Sequence, residues 1–289
     1  MKEGETQLTD QKGKFAQVVN DGRKVPDIEW VPGRILLSNK RLILASKQGK
    51  RMIPLPKLSS IKSREDAENP LAKVSSYISL QVDSDVTLIS PQHHQQFEQI
   101  LYNAVLDQQV IAVKHPAVKG GVVQNTGWEK ARLVPELEEE TISLAMTSGQ
   151  FVQVELNDVG MVEENEGDVL GDERFFIEVE HTQEKAAVQT YISGPKQKVT
   201  ILKELLRKNE QQNEVDVELT EEENEVLMAL YSGVSPFQIP EFVGMEIETV
   251  EAIYDDLIDA GILQEQRVRR DVQLKARGRN IASEAMDEE

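Results

Sequence analysis

The side chains in this sequence that could do chemistry are four histidines and 51 carboxylates, with no cysteine among them. Without a thiol there is no disulfide, no thiolate nucleophile and no Cys-ligated zinc or iron–sulfur site. His93 and His94 stand at the start of an amphipathic stretch. Adjacent helical side chains point apart, so they form neither a metal pair nor a base–nucleophile pair, and surface histidines are expected. His115 and His181 have no sequence neighbour that suggests a site. The segment "VEENEGDVLGDE", residues 162–173, has the outline of a calcium loop, with Gly167 sixth and Glu173 twelfth. Its first ligand position is Val162, which cannot coordinate calcium, so a solvated loop is expected. No glycine-rich phosphate cradle, nucleophile elbow or zinc motif is present. These residues point to a chain that is not an enzyme and carries no cofactor or metal.

The remaining chemistry is recognition. In "EIETVEAIYDDLIDAGIL", residues 246–263, Ile247, Val250, Tyr254, Leu257 and Ile258 recur at about 3.6 residues, the spacing of an amphipathic helix. The other face carries Glu248, Glu251, Asp255 and Asp259, and the stretch holds no Lys or Arg.

The net charge of -19 is graded along the chain. Residues 1–120 hold 17 bases and 13 acids (net +4), residues 121–213 hold 9 and 18 (net -9), and residues 214–289 hold 6 and 20 (net -14). Such a field suits partners of opposite sign at the two ends. At 289 residues and 39% hydrophobic content the chain reads as a soluble protein of two or three domains. No apolar run reaches the ~20 residues of a membrane span, and "MKEGETQLTDQKGK" lacks a signal-peptide core, so a cytoplasmic location is expected.

An internal repeat sets the architecture. "WVPGRIL" at Trp30 and "WEKARLV" at Trp128 share Trp-x-x-x-Arg and two aliphatics; "LASKQGKRMIPL" around Gly49 matches "LAMTSGQFVQVEL" around Gly149. Each copy continues through a charged stretch ("SREDAEN", "EENEGD"), a strand ("YISLQV", "FFIEVE") and a second strand ending Ile-Ser. Each then closes with a helix. The first is expected to open at Pro91 and bury Phe97, Ile100, Leu101, Ala104 and Val105; the second to open at Pro195 and bury Val199, Leu202, Leu205 and Leu206. Short strands plus one amphipathic helix in about 100 residues fit a small bent barrel plugged by the helix. The hairpin "GRILLSNKRLILAS", residues 33–46, resembles the opening of bacterial PH-like and GRAM-type domains. The expected fold class is therefore α+β: two tandem PH-like barrels, each closed by a C-terminal helix.

PH-like folds often bind anionic headgroups, and Lys40, Arg41, Lys47, Lys50 and Arg51 supply a basic patch. The second copy puts Thr147, Ser148 and Gln150 where the first has Lys47, Gln48 and Lys50, which favours protein docking over lipid binding as the duty of this patch.

From residue 209, "NEQQNEVDVEL" reads as a linker. A helix follows with Thr220 and Glu223 as a capping box, burying Val226, Leu227, Leu230 and Tyr231. "GVSPFQIPEFVG" then offers Ser235 as cap, Pro236 in a first turn and Gly244 as terminator, with Pro240 shortening or kinking the helix. After the acidic helix, two short strands ("ILQEQ", "DVQLK") flank a basic turn at Arg267–Arg270, and "RGRNIASEAM" begins a last helix. This is the winged helix-turn-helix order. Residues 246–260 would nevertheless hold six acids against DNA phosphates, with no base to compensate, so DNA is a poor ligand and a protein the better one.

Taken whole, "EWVPGRILLSNKRLILAS" (29–46) and "LTEEENEVLMALYSGVSPFQIPEFVG" through "LIDAGIL" (219–263) resemble the archaeal taxis adaptor family CheF. The resemblance implies a non-enzymatic adaptor that links phosphorylated CheY, with CheC and CheD proteins, to the switch complex of the archaellum motor. The repeat, the linker and the charge gradient divide the chain into a basic PH-like domain (1–112), an acidic one (113–210) and an acidic winged helix (211–289). The response regulator is then expected on Met245, Glu246, Glu248, Glu251, Asp255 and Asp259, together with Arg269, Arg270, Arg277, Arg279 and Ile281. The motor would face Lys40, Arg41, Lys47, Lys50 and Arg51. A homodimer is the expected assembly, and recruitment to the motor base the expected location. The rival reading is a winged-helix transcriptional regulator with PH-like sensor domains.

Overall fold

The computed structural model describes residues 4–263, apart from 27, 65–73, 75, 185 and 214–218. The chain divides into a β-rich unit over Met1–Asp216 and a helical unit beginning at Val217. The β-rich unit is α+β and strictly duplicated. Its first half runs β1 (Gln7–Asn20), β2 (Arg23–Lys24), β3 (Val31–Ser38), β4 (Arg41–Ser46), β5 (Gly49–Pro54), β6 (Leu58–Arg64), β7 (Tyr77–Val82), β8 (Asp85–Pro91) and α1 (His94–Leu106). Its second half runs β9 (Val110–Lys119), β10 (Val122–Val123), β11 (Glu129–Glu136), β12 (Thr141–Met146), β13 (Phe151–Glu155), β14 (Val162–Val169), β15 (Asp172–Gln183), β16 (Ala186–Ser193) and α2 (Lys196–Asn213). Both sheets are antiparallel with one strand order, β5-β4-β3-β1-β8-β7-β6 and β13-β12-β11-β9-β16-β15-β14.

Period-2 alternation produces these strands. Ile35 and Leu37 on β3 and Leu42 and Leu44 on β4 are fully buried, while Leu36 and Ile43 between them are half-buried on the other face. The turn between β3 and β4 is fixed by Ser38, whose hydroxyl oxygen accepts the backbone N–H groups of Lys40 and Arg41 at 3.2 and 3.1 Å. The two tryptophans pack alike: Trp30 lies 6.3 Å from Tyr77, and Trp128 lies 5.5 Å from Phe176. Gly13 and Gly33 face each other across β1 and β3. A Cβ at Gly33 would come 2.2 Å from the Ala45 carbonyl oxygen, so only glycine allows this close approach.

Both helices serve both sheets. α1 packs on β1 and β8 of its own half and on β11 of the other; α2 packs on β14, β15 and β16 and also on β6. One continuous apolar core, from Ile35 to Leu206, results. The peptide of Ile61 on β6 is gripped from both helices. Its N–H donates to Glu204 Oε2 at 3.0 Å, and its carbonyl accepts the Tyr102 hydroxyl at 2.9 Å. Glu204 also accepts Ser60 Oγ at 2.8 Å, and Lys208 donates to Glu98 at 2.9 Å.

Four sequence-based expectations about the β-rich unit need correction. Pro91 ends β8, and α1 starts at His94. It buries Phe97, Leu101 and Val105 as expected, but adds Tyr102 and Leu106 and leaves Ile100 and Ala104 only partly buried. Residues 162–173 form the β14–β15 hairpin instead of a loop, because Val162, Val169, Ile177 and Val179 anchor one face in the core. Residues 209–213 continue α2 instead of starting a linker. In the second copy Val199, Leu202, Leu205 and Leu206 are buried as the spacing requires.

The helical unit holds α3 (Glu221–Tyr231), a 3-10 turn (Pro236–Gln238), α4 (Ile239–Val243) and α5 (Ile247–Asp259). The capping box forms: Thr220 N–H donates to Glu223 Oε2 at 2.6 Å, and Glu223 N–H donates to Thr220 Oγ1 at 3.2 Å. Pro240 lies in the first turn of α4, so the second helix is split in two and stays short. Gly244 ends it at φ 74°. Val226, Ala229, Ile239, Val250, Ile253 and Leu257 make the core. Tyr231, expected in that core, is 51% exposed and Ala229 takes the inward position; Ile247, on the apolar spacing of α5, is 62% exposed while Ile253 is buried. The expected wing and last helix lie outside the described residues. No described helix is long and apolar enough to cross a membrane.

Candidate interaction surfaces

The basic patch is divided by the sheet. Arg41 is held by Glu5 through two bonds of 2.8 Å, and the Glu5 side chain is only 1% exposed. Its charge is thereby spent inside the fold. Arg51 shares its strand face with buried Ile53 and pairs with Asp85 at 3.2 Å. Lys40 is exposed at the β3–β4 turn, and Lys47 and Lys50 at the β4–β5 hairpin. The register adds two cations on the outward face of β1 that the tryptophan-anchored repeat starts too late to include, Lys12 and Lys14, beside Arg34 of the repeat itself. Extending the alignment upstream of Trp30 would have found them.

The acidic face of α5 is intact. Glu246, Glu248, Glu251, Asp255 and Asp259 are all exposed, and among the described residues none has a base within ion-pair distance. Glu248, Glu251, Asp255 and Asp259 recur at helical spacing, so they form one stripe. Met245 is half-buried against the helical core. Ile247 is exposed one helical turn before Glu251, and Phe242 on α4 is 66% exposed. Phe242 was missed because its exposure depends on how Pro240 divides the helix. Arg269, Arg270, Arg277, Arg279 and Ile281 lie outside the described residues.

The histidines divide as the fold dictates. His93 is exposed, and His94 Nε2 lies 2.8 Å from Ser63 Oγ. His115 and His181 are brought together on the second sheet, where sequence gave no sign of it. Thr190 Oγ1 lies 2.7 Å from His115 Nδ1 and 2.8 Å from His181 Nε2, and the rings stack at 6.0 Å. A hydroxyl has one proton, so Thr190 donates to one ring and accepts from the other, and the two tautomers are coupled. Gln183 completes the chain at 2.7 Å from His115 Nε2. Burial lowers both pKa values, and the neighbouring His115 helps to push His181 to about 4. Both rings are therefore neutral at pH 7, which is the state a sheet interior requires. Among the described residues no group of three or more His, Asp or Glu side chains could hold a metal ion.

Known proteins resemble this chain along its whole length. Residues 7–212 match the family described as Archaeal Chemotaxis signal transduction system protein F, and residues 218–287 match a domain family of unknown function. Taxis protein CheF1 of Halobacterium salinarum is 46% identical over 100% of both chains. Taxis protein CheF2 of the same organism is 25% identical over 91% of this chain and 94% of its own. The match covers the duplicated sheets and both bridging helices, and the full-length identity extends it through the acidic helix; the chain belongs to the archaeal chemotaxis signal-transduction family CheF.

Proposed function

We propose that the chain is a phosphorylation-gated, non-enzymatic adaptor that carries the taxis signal from a response regulator to the archaellum motor. Phosphorylated CheY would bind the helical end, CheC and CheD proteins would join there, and the basic first sheet would face the motor switch proteins. Residues 1–112, 113–210 and 211–289 are the working parts, a homodimer is the assembly, and the motor base is the site of recruitment. The observation that carries this reading is the carboxylate stripe of α5, which has no base within ion-pair distance among the described residues, with Ile247 exposed one turn before Glu251 and Phe242 exposed on α4. An apolar centre with a charged margin suits a protein interface, and clustered carboxylates repel the phosphates of DNA. The regulator's phosphorylated conformation would bind this face more tightly than its resting one, so that occupancy reports the signal.

Calorimetric titration of the full chain with the host CheY, with and without a phosphoryl mimic, tests it. Reversal of three charges in Glu248→Lys, Glu251→Lys and Asp255→Lys should cost about 3 kcal/mol, or roughly 100-fold in affinity. Unchanged affinity in the triple variant removes α5 from the interface. Sequence-selective capture of duplex DNA by the wild-type chain would replace the adaptor reading with a regulator of transcription.

A further inference from the structure

Strand β1 is paired along both edges, to β3 and to β8, so it can offer a partner only a side-chain face. On the face turned from the core stand Lys12 and Lys14, both exposed. Lys12 lies directly across from Arg34 and Lys14 across from Pro32 on β3, with Ser90 opposite Lys14 on β8. Lys12, Lys14, Pro32 and Ser90, with Pro91 and Gln92, line an open cleft of about 500 Å³. Asp10 holds Arg34 through bonds of 3.1 and 2.6 Å, whereas among the described residues neither lysine has an ion-pair partner.

Asp10 already pairs the guanidinium that Lys12 faces, so this juxtaposition costs the sheet little. The duplicate shows that the fold does not require it. Arg132 is the counterpart of Arg34, and it faces Val110; Lys130, the counterpart of Pro32, faces Ala112. Apolar residues thus fill both lysine positions in the second copy, so Lys12 and Lys14 are particular to the first sheet.

We propose that this cleft binds an acidic segment of a partner protein in extended conformation. Same-face residues of a strand repeat every ~6.6 Å, so carboxylates at alternate positions of an extended segment match the spacing of Lys12 and Lys14. Arg34 and Ser90 flank them, and half-buried Leu36 and Ile43 with exposed Met52 continue the face toward β5. Asp10 on the same face makes the surface mixed in sign. A polypeptide can match that pattern residue by residue, whereas a bilayer presents uniform anions that would meet Asp10 as well as the lysines. The inference deepens the reading of the first sheet as motor-facing and rests on it only for the partner's identity.

The test is fluorescence anisotropy of a labelled ten-residue peptide with glutamate at alternate positions, titrated with the full chain. The Lys12→Glu, Lys14→Glu double variant should weaken binding tenfold or more with an unchanged melting temperature. Lys130→Glu, on the second sheet, and Lys12→Arg with Lys14→Arg should bind as the wild type does. Equal binding by all variants overturns the proposal. So does capture of phosphatidylglycerol vesicles through Lys12 and Lys14 without peptide binding. Loss of peptide binding with intact recruitment to the switch proteins sustains the cleft and removes its motor role.

Discussion

Replacing Glu204 by alanine asks whether the two sheets melt as one body. The Glu204 side chain is 13% exposed and accepts Ser60 Oγ at 2.8 Å and Ile61 N–H at 3.0 Å, with Lys62 at 3.6 Å. A hydrogen bond to a charged group contributes about 1.5–3 kcal/mol, and a buried donor left unmade costs ~1–3 kcal/mol. Water can reach part of the vacated site, which places the combined loss near 3 kcal/mol. For a unit of this size each kcal/mol moves the midpoint by ~2–4 °C, so a fall of roughly 6–12 °C is expected. The chain's two tryptophans divide the readout, since Trp30 lies in the first half and Trp128 in the second. Single-tryptophan variants, Trp30→Phe and Trp128→Phe, would follow each sheet separately during thermal unfolding. Both signals should melt together, and both should shift together with Glu204→Ala. Glu204→Gln keeps an acceptor and should lose about half as much. Two separated transitions, of which Glu204→Ala moves only one, would refute the single-core argument.

Two further outcomes follow from local chemistry. The folded-state pKa of His181 lies below its ordinary 6.5, at about 4, so its contribution to stability is complete above pH 6.5, is lost as pH falls from 6.5 to about 4, and then levels off. Chemical denaturation at pH 7.5 and pH 5 should differ by about 2 kcal/mol on this account, and His181→Gln should remove that part of the difference; an unchanged pH dependence would show that the ring is not held neutral. Thr220→Ala removes the N-cap of α3 and should lower the protection of its first amides against hydrogen exchange by about 1 kcal/mol, with α5 nearly unaffected.

Much of the fold was legible from local patterns. Alternation along "GRILLSNKRLILAS" gave the β3–β4 hairpin, the Trp-x-x-x-Arg pair gave the duplication, and Thr220 with Glu223 gave the start of α3. The acid stripe on α5 could be counted directly from helical spacing. Local periodicity failed where the decision was distant. Ile247 has the spacing of the apolar face yet is 62% exposed at the first turn of α5, while Val250, Ile253 and Leu257 are buried.

The sequence by itself determined which residue types stand at which period: two β-rich copies, a charge gradient and a helix with one acidic face. Only the tertiary structure decided which charges are available to a partner. Arg41 is neutralised by Glu5 and Arg51 by Asp85, while among the described residues Lys12 and Lys14 have no ion-pair partner. Likewise His115 and His181 converge on Thr190 although 65 residues separate them. The physical reason is that periodicity is a property of neighbouring residues, whereas ion pairs and shared hydrogen bonds depend on strand register, which is fixed only when the whole core closes.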